Sequence, residues 1–235
     1  DANDAGTVTG LDDTEAVTTS DTGTVAATAI TNLDAETSGV VTVQGGITTL
    51  TGTIAAVQAA FDANDAGTVT GLDDTEAVTL TDTTAAAADL NTLNAETAGV
   101  INAGTVNTLT GSLADVQASY TADTAGTISG LGNEAVTLSD TGSVVATLIT
   151  TLAGDTSGAV TVNAGVTTLT GTIAQVQAVY DASNVTIDGD EALTVSDTGT
   201  VVASAITHLD SDTSGVVTVA GGITTLTGTI AEVQA

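Results

Sequence analysis

The chain has 235 residues, of which 29 are acidic and none is Lys or Arg, giving a formal charge of -29. With no basic side chain to neutralise phosphates, nucleic acid is excluded as a partner, and anionic membrane surfaces repel the chain for the same reason. Hydrophobic residues make up 42% and charged ones only 12%, too apolar a mixture for a solvated coil, so a packed core is expected.

Aromatic side chains are limited to Phe61, Tyr120 and Tyr180, which leaves the core to Val, Ile, Leu, Ala and Thr methyls. Cysteine is absent, which removes disulfides and thiolate metal sites. No apolar run is long enough to cross a bilayer, so no membrane insertion is expected. There is no signal peptide or lipidation motif, and any export signal is expected to lie outside this segment.

Residues 1–18 read DANDAGTVTGLDDTEAVT and recur letter for letter at 62–79. The period is about 60 residues and divides the chain into units 1–61, 62–120, 121–180 and 181–235, the last one shorter. Natural arrays close with atypical caps, and neither end here departs from the repeat. The expectation is therefore one continuous array, a fragment of a longer one. Within each unit a second phrase appears: ITTLTGTIAAVQA at 47–59 returns, with changes, at 106–118, 166–178 and 223–235. Each unit thus splits into halves of roughly 26 to 31 residues, and both halves share one grammar of strand, turn, short helix, acidic turn, Gly and strand.

Taken in order, the alternating β-branched runs at 40–43, 135–138 and 216–219 predict strands. Between them the period changes. Val25, Ala26, Ala29, Ile30 and Leu33 share one face at helical spacing, as do Ile54, Val57 and Phe61. Thr172 with Gln175, and Thr229 with Glu232, have the spacing of a capping box. Gly39, Gly67, Gly99, Gly126, Gly158 and Gly215 fall at corners, where a positive φ is expected. The fold class these elements predict is a repeat solenoid, with parallel strands stacked coil on coil and a short helix in most coils. An all-β solenoid is the alternative.

Acidic clusters recur at the corners: Asp12, Asp13 and Glu15; Asp73, Asp74 and Glu76; Asp188, Asp190 and Glu191. Oxygen-rich turns suit Ca²⁺, a hard cation that takes about six to eight oxygens. Asp is equally a good turn residue on a solvated surface, and the third unit carries Gly132-Asn133-Glu134 instead. Asp34 with Glu36 and Asp210 with Asp212 form a second series. Asp21, Asp82, Asp140 and Asp197 sit in Ser/Thr-Asp-Thr turns in every second half, which spaces like charges. His208 is the lone histidine and reads as an exposed helix residue. No nucleophile–base or phosphate-loop pattern stands out, so no enzyme is expected. Thr-x-Thr at Thr7–Thr9, Thr51–Thr53 and Thr227–Thr229 raises ice binding as a further alternative, because regular threonine ladders on a flat sheet suit it, although Thr is also an ordinary strand former.

The run VSDTGTVVASAITHLD followed by SDTSGVVTV resembles the repeat regions of giant secreted bacterial surface proteins, adhesins and fibre-forming proteins among them. The resemblance covers essentially the whole chain. It implies an extracellular or cell-surface location, a very long parent chain, one-step secretion and Ca²⁺ dependence. The function expected is a non-catalytic, load-bearing and self-stacking segment of an extracellular filament or adhesin stalk. Its partners would be further copies joined end to end, with cells reached through parts of the parent chain not present here. A Ca²⁺-binding surface-layer or ligand-binding module is the alternative.

Overall fold

The computed structural model describes residues 12–234; Asp1 to Leu11, with Thr7 and Thr9, and Ala235 lie outside the described residues. The chain divides into two compact units, residues 1–106 with 121–131, and residues 107–120 with 132–235. This division does not follow the four sequence repeats, which run on through it. Throughout, parallel β-strands in several sheets alternate with short helices.

The described residues open with β1 (Val17–Thr18), β2 (Gly23–Ala26) and α1 (Ala27–Glu36), then β3 (Val41–Thr42), β4 (Ile47–Gly52) and α2 (Ile54–Ala66). After β5 (Val69–Thr70) the pattern restarts with β6 (Ala77–Leu80), β7 (Thr84–Ala86), α3 (Ala87–Glu96) and β8 (Ile101–Asn102). Next come β9 (Thr108–Gly111), α4 (Leu113–Ala125) and β10 (Ile128–Ser129); the division between units falls inside α4. The third pass runs β11 (Ala135–Leu138), β12 (Gly142–Val145), α5 (Ala146–Asp155), β13 (Val160–Thr161), β14 (Val166–Gly171), α6 (Ile173–Asp181) and β15 (Val185–Thr186). The last runs β16 (Ala192–Val195), β17 (Thr198–Val202), α7 (Ala203–Asp212), β18 (Val217–Val219), β19 (Gly222–Thr227) and α8 (Ile230–Gln234).

Each strand pairs with the strand one half-repeat away, always parallel. In the first unit Val17 lies beside Val41 and Val41 beside Val69, while β2, β4, β6, β8 and β10 form a second ladder. In the second unit β11 lies between β9 and β13, β12 opens a ladder continued by β14, β16 and β18, and β17 pairs with β19. In both units, then, the strand after the acidic corner joins an existing ladder (β6 on β4, β16 on β14) and does not extend its own. Strands sit about 4.8 Å apart but packed helices about 8–10 Å, so a ladder and a row of helices that each gain one member per half-repeat differ in natural spacing.

Alternation sends every second strand residue inward. Leu50, Val78, Ile101 and Ile128 make one buried row in the first unit, and Leu169 and Leu193 lie side by side in the second. The helices close over these rows. Ile54, Val57 and Phe61 of α2 are buried as their spacing predicts, and Thr172 with Gln175 forms the expected capping box at α6. Three elements differ in their bounds: β3 and β18 are shorter than the runs at 40–43 and 216–219, and the first helix starts later than its spacing suggests. Val25 and Ala26 belong to β2 and the helix begins at Ala27, because the β-branched run continues the ladder opposite Leu50 and Thr51.

The corner glycines serve two different needs. Gly67 and Gly126 have φ of 77° and 82°, as expected at helix ends. Gly39, Gly99, Gly158 and Gly215 do not have positive φ. They are required because a Cβ there would stand 2.1 to 2.4 Å from the carbonyl oxygen of Glu15, Glu76, Glu134 or Glu191.

Candidate functional site

Those glycine contacts lead to the most regular feature of the molecule, a clasp built four times at the acidic corners. Two residues before each glutamate the backbone turns through positive φ, at Asp13 (60°), Asp74 (58°), Gly132 (120°) and Gly189 (74°). The third unit's departure in sequence is therefore the same turn, made with a residue better suited to it. The carbonyl of the turn residue accepts from the N–H of Ser38, Ala98, Ser157 or Ser214 in the next coil, at 2.7 to 2.9 Å. The glutamate carbonyl accepts from the hydroxyl of Thr37, Thr97, Thr156 or Thr213, at 2.6 to 2.8 Å. The same hydroxyl oxygen accepts from the N–H of Gly39, Gly99, Gly158 or Gly215. Each clasp thus ties a helix C-terminus to the preceding turn and satisfies the backbone groups it buries.

The side chains of the predicted Ca²⁺ ligands do not converge. Asp12 and Asp73 are exposed, and Oδ1 of each accepts from the hydroxyl and N–H of Thr14 or Thr75; these bonds hold both carboxyls below the usual aspartate range. Asp13 and Asp74 contribute mainly backbone. Glu15 and Glu76 turn back to accept from the N–H of Asp12 and Asp73. Asp188 and Asp190 are exposed, whereas Glu191 is buried. Among the described residues, no three His, Asp or Glu side chains are grouped so as to hold a metal ion.

The glutamates point inward instead, and this the sequence does not announce. Glu76, Glu134 and Glu191 are 3% exposed or less. Tyr120 donates its hydroxyl to Oε2 of Glu134 at 3.1 Å, and Tyr180 to Oε2 of Glu191 at 3.3 Å. Burial, reinforced by the neighbouring glutamate charge, pushes both phenols well above their ordinary value. Phe61 occupies the matching sequence position in the first repeat and has no hydroxyl; Oε2 of Glu76 is buried without a hydrogen bond.

A second series also joins one coil to the next. Oδ2 of Asp82, Asp140 and Asp197 accepts from the N–H of Ile54, Leu113 and Ile173, the first residue of the helix in the preceding coil, at 2.7 to 2.8 Å. Each carboxylate meets the positive end of that helix and an amide with no partner inside it. Charge spacing alone does not account for these residues; helix capping from the next coil does. Along the helices Gln117 donates to Asp155 and Gln177 to Asp212, both at 2.7 Å, and Gln58 donates to Glu96. His208 is exposed, with Nδ1 3.0 Å from Oε1 of Gln177.

Two grooves recur beside these helices. One of about 510 Å³ lies along α2 and is lined by Gln58, Asp62 and Asp82; the other, about 360 Å³, lies along α6 with Gln177, Asp197 and His208. The carboxylates of Asp82 and Asp197 in these grooves are spent on helix amides. The Thr-x-Thr pattern sits at strand-to-helix junctions, where Thr53 and Thr229 accept helix N–H groups. Threonine rows cross the sheets, for example Thr110–Thr137–Thr161–Thr186, and at β4 two shorter rows run side by side, Thr24–Thr49 and Thr51–Thr79. No helix among the described residues is long and apolar enough to cross a membrane. No protein-family model, curated protein or solved structure matches this chain.

Proposed function

We propose that the chain is a structural segment of an extracellular filament or adhesin stalk, an α/β solenoid that bears load and stacks on further copies of itself. The observation that carries this is how the polar side chains are used. Clasp threonines, capping aspartates and helix-face glutamines all bond to the coil before or after their own. Binding proteins and enzymes keep some such groups free and convergent for a ligand. Here they are distributed evenly and repeat with the sequence. Because the two kinds of coil alternate in every repeat, a repeat of one copy presents the same bonds as a repeat of another, which supports end-to-end stacking. The charge of -29 opposes side-by-side association, and a saline extracellular medium would screen it.

Analytical ultracentrifugation of the chain over a range of concentrations, with electron microscopy of the concentrated samples, tests the proposal. The decisive outcome is whether concentrated chain joins end to end: a mass per particle that grows with concentration in steps of one chain is expected. A chain that stays monomeric at all concentrations overturns the self-stacking role.

A further inference from the structure

We infer that force along the stack unravels each unit one coil at a time, so that the segment yields in steps and does not break at a single load. This rests on the load-bearing role proposed above. Within a unit the ladder bonds run from coil to coil, across the strands. A pull along the direction of stacking therefore loads successive strand pairs in series, each bearing the same force, and the outermost coil, bonded on one side only, leaves first. Strands pulled along their length would instead share it over many bonds at once.

The non-ladder bonds obey the same rule. Thr37 holds the Glu15 carbonyl and Thr97 that of Glu76; Asp82 holds the Ile54 amide and Asp197 that of Ile173. Each joins neighbouring coils only. The chain has no cysteine for a disulfide and no lysine for an amide cross-link to a carboxylate or carboxamide, so no such staple can tie distant coils together. In an array coupled only to nearest neighbours, losing one coil leaves the rest of the stack intact. At every second coil the clasp ties the helix end to the coil before it, alongside the glutamine bonds to Glu96, Asp155 and Asp212, and it raises the force at which that coil leaves.

Single-molecule stretching of the full chain, held by handles at its two ends, tests this. The expected trace is a series of steps, each releasing about 80 to 100 Å of extended chain less the thickness of one coil. In the fourfold variant T37V/T97V/T156V/T213V the force of every second step should fall and the step length stay unchanged. If that variant does not fold, T97V alone should weaken one step in the series. A single rip that frees a whole unit at once overturns stepwise yielding while leaving load bearing intact. A featureless rise with no resistance overturns both. Step forces unchanged in the threonine variants remove the clasp as a tie that raises them.

Discussion

Glu76, Glu134 and Glu191 are buried carboxyls in a chain that has no Lys or Arg to pair with them. Two of the three receive a tyrosine hydroxyl, and Oε2 of Glu76 has no hydrogen bond. A buried acceptor left without a donor costs free energy that a new hydroxyl would recover. Phe61→Tyr is therefore predicted to stabilise the chain by about 1 to 2 kcal/mol in urea unfolding, against the usual cost of adding a polar atom to a core. Glu96 offers a pH test. Burial, then the charges of Asp62, Asp65 and Asp74, raise its carboxyl above the ordinary glutamate value. The charged form is thus disfavoured in the folded chain; the penalty is full above the raised pKa and is relieved as pH falls through it. Glu96→Gln keeps an acceptor for Gln58 and removes the charge. It should melt higher than the parent at neutral pH, with the gap closing as pH falls through the glutamate range. Asp12 and Asp73 act in the opposite sense: their lowered pKa values give stability that is present above the ordinary aspartate value and lost as pH falls through the lowered one.

At the scale of the element, the strand–helix grammar was legible because period and composition change together. Strand β11 has the predicted bounds, and α2 buries the residues its spacing selects. The start of α1 was misplaced because Val25 and Ala26 fit a helical stripe and a ladder equally well, and the neighbouring strand β4 decides between them. The clasp was not read, although its signal is present: Thr37-Ser-Gly39, Thr97-Ala-Gly99, Thr156-Ser-Gly158 and Thr213-Ser-Gly215 recur at one place in every repeat. A threonine before a glycine looks like any turn until the preceding coil is seen against the glycine. Thr97→Val keeps the shape of the side chain and removes its bonds to the Glu76 carbonyl and the Gly99 amide. It is predicted to cost about 1 to 3 kcal/mol in urea unfolding, since both backbone groups are then left unsatisfied. Gly99→Ala should cost more, because its Cβ would stand 2.2 Å from the same carbonyl.

For the whole molecule, charge and repetition pull against each other. Repeated coils place like residues close together, and with 29 acids and no base the sum is repulsive. The inward glutamates were illegible because a Glu beside two Asp in a turn reads as solvated; only the stacked neighbour shows which acid is covered. With the acids among the described residues dispersed and not gathered round one cation, added salt is predicted to raise the melting temperature through screening. Ca²⁺ and Na⁺ should then act alike at matched ionic strength, whereas a rise specific to millimolar Ca²⁺ would restore a bound-cation role for the corners. The central claim is that polar groups are spent between coils, and residue-resolved hydrogen exchange tests it most directly. The first amide of a helix has no partner within the helix and ordinarily exchanges fast. The amides of Ile54, Leu113 and Ile173 are predicted to be protected as well as the ladder amides of Val78 and Val136, because Asp82, Asp140 and Asp197 hold them from the next coil. Fast exchange at those three positions, with the ladder still protected, would contradict the account.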